Sequence, residues 1–178
     1  MKNPLLLLLI GLCSQIAMGQ WKEVKPISFE LDYFYGSILE HNPDISHLIT
    51  DHPSGAIFRF NRKTYGWNEW ESRYNYPDYG ITFTYQDLKN PFLGKVYGLY
   101  GHFTFYALSR WLRLSVAQGI AYTGNPYDPD LNFQNNAYGS HLLSSTLFDV
   151  TIARENIYKG IGAHVGMGIL HYSNANLK

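Results

Sequence analysis

Residues 161–174 have the sequence IGAHVGMGILHYSN. Every second side chain from Ile161 to Ile169 is apolar, and this spacing predicts a β-strand with one apolar face. His171 and Ser173 continue the same row of alternate positions, so they share a face, with Cβ atoms about 6.5–7 Å apart. A base and a hydroxyl therefore lie side by side where the pattern predicts apolar side chains.

The same alternation recurs along most of the chain. Phe83 and Tyr85, for example, alternate with Thr82 and Thr84, and turn-forming residues separate the runs. Runs of about ten alternating residues are typical of an all-β, antiparallel up-and-down transmembrane β-barrel. The pattern predicts seven strands and no convincing helix, with strands near residues 27–39, 55–63, 79–88, 95–107, 111–122, 143–155 and 160–173.

The aromatic content favours the same fold. The chain has fifteen tyrosines, ten phenylalanines and four tryptophans, which suits the aromatic girdles that barrels place at lipid–water boundaries. A soluble periplasmic β domain with aromatic cross-strand pairs and a ligand cavity is an alternative that these counts leave open.

The first nineteen residues predict an export signal. An almost wholly apolar run follows Lys2, and a small-x-small cleavage site ends at Gly19. Cleavage there divides the chain into a signal peptide, residues 1–19, and one barrel domain, residues 20–178. A lipoprotein signal at Cys13 is a minor alternative, because a bulky leucine precedes the cysteine where a small residue is expected.

Charge and cysteine content exclude several classes of function. The formal net charge is zero, so the sequence indicates no broad electrostatic attraction to nucleic acid. The single cysteine, Cys13, lies in the predicted signal, which excludes a disulfide scaffold and a thiolate metal site in the barrel domain. No later apolar run reaches the roughly 18–20 residues of a membrane-spanning helix. The domain is therefore either soluble or a transmembrane barrel.

Loop lengths predict the direction of the strands. If the domain begins in the periplasm, the two long polar connections at 40–54 and 123–142 face outward, as the longer loops of barrels do. His171 and Ser173 then lie at the outer end of the last predicted strand. The long connection at 64–78 falls on the inner side and departs from this pattern.

The end of that strand resembles a family motif. Residues 166–175, GMGILHYSNA, resemble the PagL family of outer-membrane lipid A 3-O-deacylases, which carries His-x-Ser-Asn near the outer end of the penultimate strand of an eight-stranded barrel. The resemblance implies that Ser173 attacks an ester carbonyl, that His171 accepts its proton, and that Asn174 supports the oxyanion. It also implies a reaction that needs no metal and no organic cofactor.

The resemblance sets expectations about the rest of the barrel. In the family, a carboxylate on the final strand orients the histidine, and a Pro-Asn segment after the motif contributes to the oxyanion hole. Neither is found before Lys178. We therefore expect about seven of the eight strands in residues 20–178, and an incomplete catalytic apparatus in the chain as given.

The implied function is a serine esterase of the outer membrane. Its substrate would be a primary acyl ester of lipid A in lipopolysaccharide, reached among the other outer-membrane lipids. From the residues alone, a non-catalytic small outer-membrane barrel whose long loops bind a partner is the alternative. The sequence indicates no nucleic-acid partner and no particular oligomeric state.

The remaining polar clusters favour structural roles. Histidines and aspartates crowd the first outer loop, but their spacing matches no metal-ligand pattern. Segment 125–132 is rich in oxygen ligands, yet its two prolines and the lack of a terminal glutamate favour turns over a calcium loop. His164 is on the opposite parity from His171 and is predicted to face the lumen. Luminal ion pairs are predicted to join Arg59, Arg113 and Arg154 to Glu30, Asp32 and Asp149.

Overall fold

A computed structural model describes residues 26–40 and 43–173. They form one antiparallel sheet in which each strand pairs with the next along the chain. The strands are β1 (Ile27–Tyr35), β2 (Ser54–Arg62), β3 (Asp78–Asp87), β4 (Lys95–Ala107), β5 (Leu112–Thr123), β6 (Leu142–Tyr158) and β7 (Ile161–Ser173). The predicted up-and-down order of seven strands is confirmed, although β1 ends earlier and β6 ends later than expected. The predicted signal peptide and Asn174 lie outside the described residues.

The sheet curls into a half-barrel with an apolar outer wall. Phe29, Leu31 and Met167 point outward and are 65%, 75% and 81% exposed. Many inward positions carry polar side chains instead, such as Arg59 on β2, which is only 3% exposed. A small apolar cluster around Tyr100 also lies inside. Soluble proteins distribute these residue types the other way round. The reversed arrangement suits a wall that faces lipid.

Each of the two end strands of the sheet, β1 and β7, has one unpaired edge in the described part of the chain. Among the described residues, β1 pairs with β2 alone and β7 with β6 alone. Their inward faces nevertheless meet across the lumen, where His164 on β7 hydrogen-bonds with Asp32 on β1. The predicted luminal position of His164 is therefore confirmed. In this part of the chain no helix is long and apolar enough to cross a membrane.

Ion pairs link strands on opposite sides of the lumen. The Arg59 guanidinium donates to Asp32 at 2.5 Å and to Asp149 at 2.7 Å, which ties β2 to β1 and β6. The Arg113 guanidinium donates to both carboxylate oxygens of Glu30 at 2.6 Å, which ties β5 to β1. Two of the three predicted luminal arginines are thus paired as expected.

The prediction for Arg154 is wrong. This side chain points outward from β6, and its guanidinium lies 5.3 Å from the ring centroid of Trp111. At the end of the wall opposite the two long loops, the aromatic face of Trp111 is a partner for the cation, which therefore stays outside the lumen.

The two long loops that are predicted to face outward pack over one end of the lumen, which we call the outer end. A 3₁₀ helix, Pro43–Leu48, brings Leu48 into a buried apolar cluster with Leu88, Leu93 and Tyr138. The prediction of no helix is therefore wrong here, because this short turn is held by tertiary packing that local periodicity does not reveal.

Polar contacts in these loops are also structural. His47 Nε2 lies 2.8 Å from the carbonyl oxygen of Gln134 and so links the two long outer loops. Asp128 Oδ1 accepts from the backbone N–H of Asp130 and Leu131. Those two bonds hold the pKa of Asp128 below its ordinary value. The turn predicted within segment 125–132 is therefore confirmed.

The inner connection between β2 and β3 contains a second helix, α1 (Glu69–Arg73). Its Glu71 carboxylate is buried and accepts from the backbone N–H groups of residues 65–67 at 2.8–3.2 Å. The Asn68 amide donates to it at 2.6 Å. Burial alone would raise the pKa of Glu71, but these hydrogen bonds lower it below its usual range. The carboxylate therefore organises a turn that five helical residues could not hold alone.

Replacing Arg59 with Ala is expected to destabilise the fold by about 3–5 kcal/mol, because Asp32 and Asp149 would lose their buried partner. Urea unfolding in lipid vesicles measures the change. Arg154→Ala is the matched control, since its guanidinium lies outside the lumen, and its expected loss is below about 1 kcal/mol. Equal losses in the two variants would contradict the luminal network.

Acidification is expected to release α1 before the sheet unfolds. The pKa of Glu71 is lowered in the folded state. The stability that its carboxylate contributes is therefore present above its unfolded pKa of about 4.3, and it is lost as the pH falls through the folded-state pKa. Glu71→Gln should release the same segment at neutral pH, at a loss of about 2 kcal/mol. Backbone hydrogen exchange of residues 65–73 measures it, with exposed Glu69→Gln as control. Exchange that is equally slow in both variants would contradict the role of Glu71.

Candidate active site

His171 and Ser173 lie on the outward face at the outer end of β7. Both side chains are exposed, whereas the alternate residues Leu170 and Tyr172 point inward and are half-buried. The predicted shared face is therefore observed. Within the described part of the chain, neither the imidazole nor the Ser173 hydroxyl makes a hydrogen bond, so both are open to a ligand that approaches the outward face of the sheet.

The backbone at His171 is held from inside the barrel. Ser145 Oγ on β6 donates to the carbonyl oxygen of His171 at 3.1 Å. That hydroxyl also lies 2.8 Å from the Tyr100 hydroxyl, which lies 3.3 Å from Thr84 Oγ1. A buried chain of hydroxyl groups thus connects β3, β4 and β6 to the strand that carries the site.

Tyr172 anchors the same strand end to the outer loops. Its hydroxyl donates to Gln86 at 2.7 Å, and its ring packs edge-on against Tyr138 with centroids 6.0 Å apart. A functional pair is most precise when packing and hydrogen bonds lock the element beneath it. The inward residues of β7 therefore fix the position of the outward ones.

Three further polar side chains lie beside this pair. Gln118 on β5 and Thr146 on β6 are in register with His171. Ser144 on β6 is directly opposite Ser173. We call these five residues the outer polar patch. Gln118, Ser144 and Thr146 are not among the site residues predicted from the sequence, because strand register decides which residues become neighbours.

A signal for the missed residues exists in the strand alternation. Gln118 interrupts the outward row of β5 between Val116 and Ile120, as Ser144 and Thr146 interrupt that of β6 between Leu142 and Phe148. Polar groups on a lipid-facing wall are unfavourable unless they are paired or used. Three strands therefore carry such interruptions at one level of the wall.

The outer polar patch has the groups that ester chemistry requires. A serine hydroxyl becomes a nucleophile when a nearby base accepts its proton, and histidine is the usual base. In unliganded structures the bond between them is often not yet formed. The patch therefore offers a base, a nucleophile and additional hydroxyl and amide donors on a surface that lipid can reach.

The acidic residues in the lumen are better described as part of an ion-pair network than as a metal centre. Among the described residues, the group with three possible ligands is Glu30, Asp32 and His164, with ligand atoms within 4.8 Å of one another. The guanidiniums of Arg59 and Arg113 already bind these carboxylates. The group is an ion-pair network on the opposite face of the sheet from the outer polar patch.

Comparison with known families decides the relationship. The family model for lipid A 3-O-deacylase (PagL) matches residues 54–178, which include β2 to β7 and both His171 and Ser173. The chain belongs to the PagL family. The resemblance predicted from residues 166–175 is thereby confirmed. No curated protein and no solved structure matches the chain.

Membership defines the general chemistry. PagL proteins are outer-membrane hydrolases that act on lipid A. The all-antiparallel half-barrel agrees with a barrel fold for the chain. The outer polar patch lies wholly within the matched residues.

Proposed function

We propose that this chain is an outer-membrane serine esterase that removes a primary acyl chain from lipid A. The observation that carries the proposal is the placement of His171 and Ser173 together on the lipid-facing wall of a PagL-family sheet. Residues 1–19 would direct export, and residues 20–178 would insert into the outer membrane.

The depth of the pair suits a lipid substrate. From Ile161 to Ile169 a strand rises about 27 Å, or about 20 Å along the membrane normal at a tilt of about 40°. The apolar band of a bacterial barrel is about 25 Å tall. His171 and Ser173 therefore reach the outer boundary of that band, where the acyl esters of lipid A meet its sugars.

The reaction follows from the groups present. Ser173 Oγ attacks the ester carbonyl while His171 accepts its proton, and His171 then returns the proton to the departing sugar oxygen. Water, activated by the same histidine, hydrolyses the acyl-serine ester and releases a fatty acid. Asn174 is proposed to support the oxyanion. The steps require neither a metal nor an organic cofactor.

Expression of the full-length wild-type protein in a host outer membrane is expected to give lipid A that lacks one primary acyl chain. Ser173→Ala should reduce this deacylation by at least about 10³-fold, because the nucleophile is removed. Mass spectrometry of extracted lipid A measures both. Ser140→Ala, in the adjoining outer loop, is the matched serine control and should leave deacylation unchanged.

Two results would contradict the proposal. One is a full-length wild-type protein that is folded in the membrane but leaves lipid A unchanged, as a non-catalytic barrel with partner-binding loops would. The other is a Ser173→Ala variant that deacylates as the wild type does.

A further inference from the structure

Three members of the outer polar patch form a directed hydrogen-bond chain. Thr146 Oγ1 donates to Gln118 Oε1 at 2.5 Å. Gln118 Nε2 then donates to Ser144 Oγ at 3.3 Å. The amide of Gln118 is thus oriented by Thr146 on one side and presents an N–H to Ser144 on the other.

This series of hydrogen bonds ends at a hydroxyl proton that has no acceptor among the described residues. The Ser144 oxygen accepts from Gln118, but its own O–H donates to no group in residues 26–40 or 43–173. Ser144 is directly opposite Ser173 in the register of β6 and β7, which places their Cβ atoms about 4.5–5.5 Å apart on the outer face. An unused O–H donor therefore lies beside the candidate nucleophile.

We propose that Ser144 donates a hydrogen bond to the carbonyl oxygen of the acyl ester while Ser173 attacks it. Gln118 and Thr146 are positioning residues, which hold the Ser144 oxygen so that its proton points away from them. The inference rests on the proposed function, because that function supplies the nucleophile. It adds a side-chain donor on β6 to a site otherwise built on the end of β7.

The electron movements show why such a donor matters. When the bond from Ser173 Oγ to the carbonyl carbon forms, the π pair moves to the carbonyl oxygen, and the Ser144 O–H stabilises that charge. Return of the pair re-forms the carbonyl and breaks the bond to the sugar oxygen. That oxygen takes the proton from His171. The donor is most effective where water is sparse, as it is beside lipid.

The surroundings argue against a purely structural role. Next to these side chains the wall is apolar, with Ile120 and Leu142 on the outer side and Val116 and Phe148 on the inner side. When both partners of a hydrogen bond are replaced by apolar groups of similar shape, stability changes little. Apolar residues at these three positions would thus stabilise the wall at least as well. The polar side chains are therefore explained by a role in function.

The test uses the full-length protein in mixed micelles with two substrates, hexa-acylated lipid A and p-nitrophenyl butanoate. Ser144→Ala is expected to reduce kcat by about 10- to 100-fold on both, with KM nearly unchanged, because the donor acts in the transition state. Ser144→Thr keeps the hydroxyl and should restore most of kcat. Gln118→Leu should give a smaller loss of kcat, and Ser140→Ala none.

Stability provides a measurement that does not depend on activity. A triple variant, Gln118→Leu, Ser144→Val and Thr146→Val, should unfold in urea at the same or a higher midpoint than the wild type in lipid vesicles. A clearly lower midpoint would show that the three residues serve the fold and would overturn the inference.

The kinetic outcomes separate this inference from the proposed function. A chain that loses activity with Ser173→Ala but keeps full kcat with Ser144→Ala retains the function and overturns the inference. A loss with Ser144→Ala on lipid A alone would also overturn the assignment to the ester carbonyl, since both substrates share that group. A folded, full-length wild-type protein that is inactive on both substrates would overturn both proposals.

Discussion

A β-strand sends alternate side chains to opposite faces of its sheet, and this constraint governs the whole molecule. In this chain one face is apolar and exposed, while the other carries the ion pairs of Arg59 and Arg113 across the lumen. The two faces cannot be exchanged, because a shift of one residue in strand register would move charged side chains to the wall and apolar side chains to the lumen. The same constraint leaves His171 and Ser173 on the wall.

The site depends on groups that never touch a substrate. Ser145 holds the backbone of His171, and Tyr172 anchors the strand to Gln86 and to the outer loops. These contacts come from the luminal face, so they support the outward side chains without occupying the lipid side. A proposed esterase with its nucleophile on the outer wall can thus meet an acyl ester that stays in the membrane, because the catalytic groups already lie where the lipid is.

Features that depend on local alternation could be predicted from the sequence, and features that depend on register or packing could not. The alternating apolar rows of β3 and β7 can be read directly from the sequence, and so can the position of His164 on the luminal face. The neighbours of Ser173 across β6 depend on a register that no single strand reveals. Helix α1 depends on the buried carboxylate of Glu71. Arg154 occupies an outward position in the alternation of β6, and there its guanidinium lies against the Trp111 ring.

The central claim, that Ser173 is an activated nucleophile on the lipid-facing wall, is tested most directly by covalent labelling. The full-length protein in a lipid bilayer would be exposed to a long-chain alkyl fluorophosphonate and then examined by intact-protein mass spectrometry and peptide mapping. We expect one phosphonyl group per chain, on Ser173, and no labelling in His171→Ala. Labelling spread over other serines, or labelling of Ser173 that does not depend on His171, would contradict it.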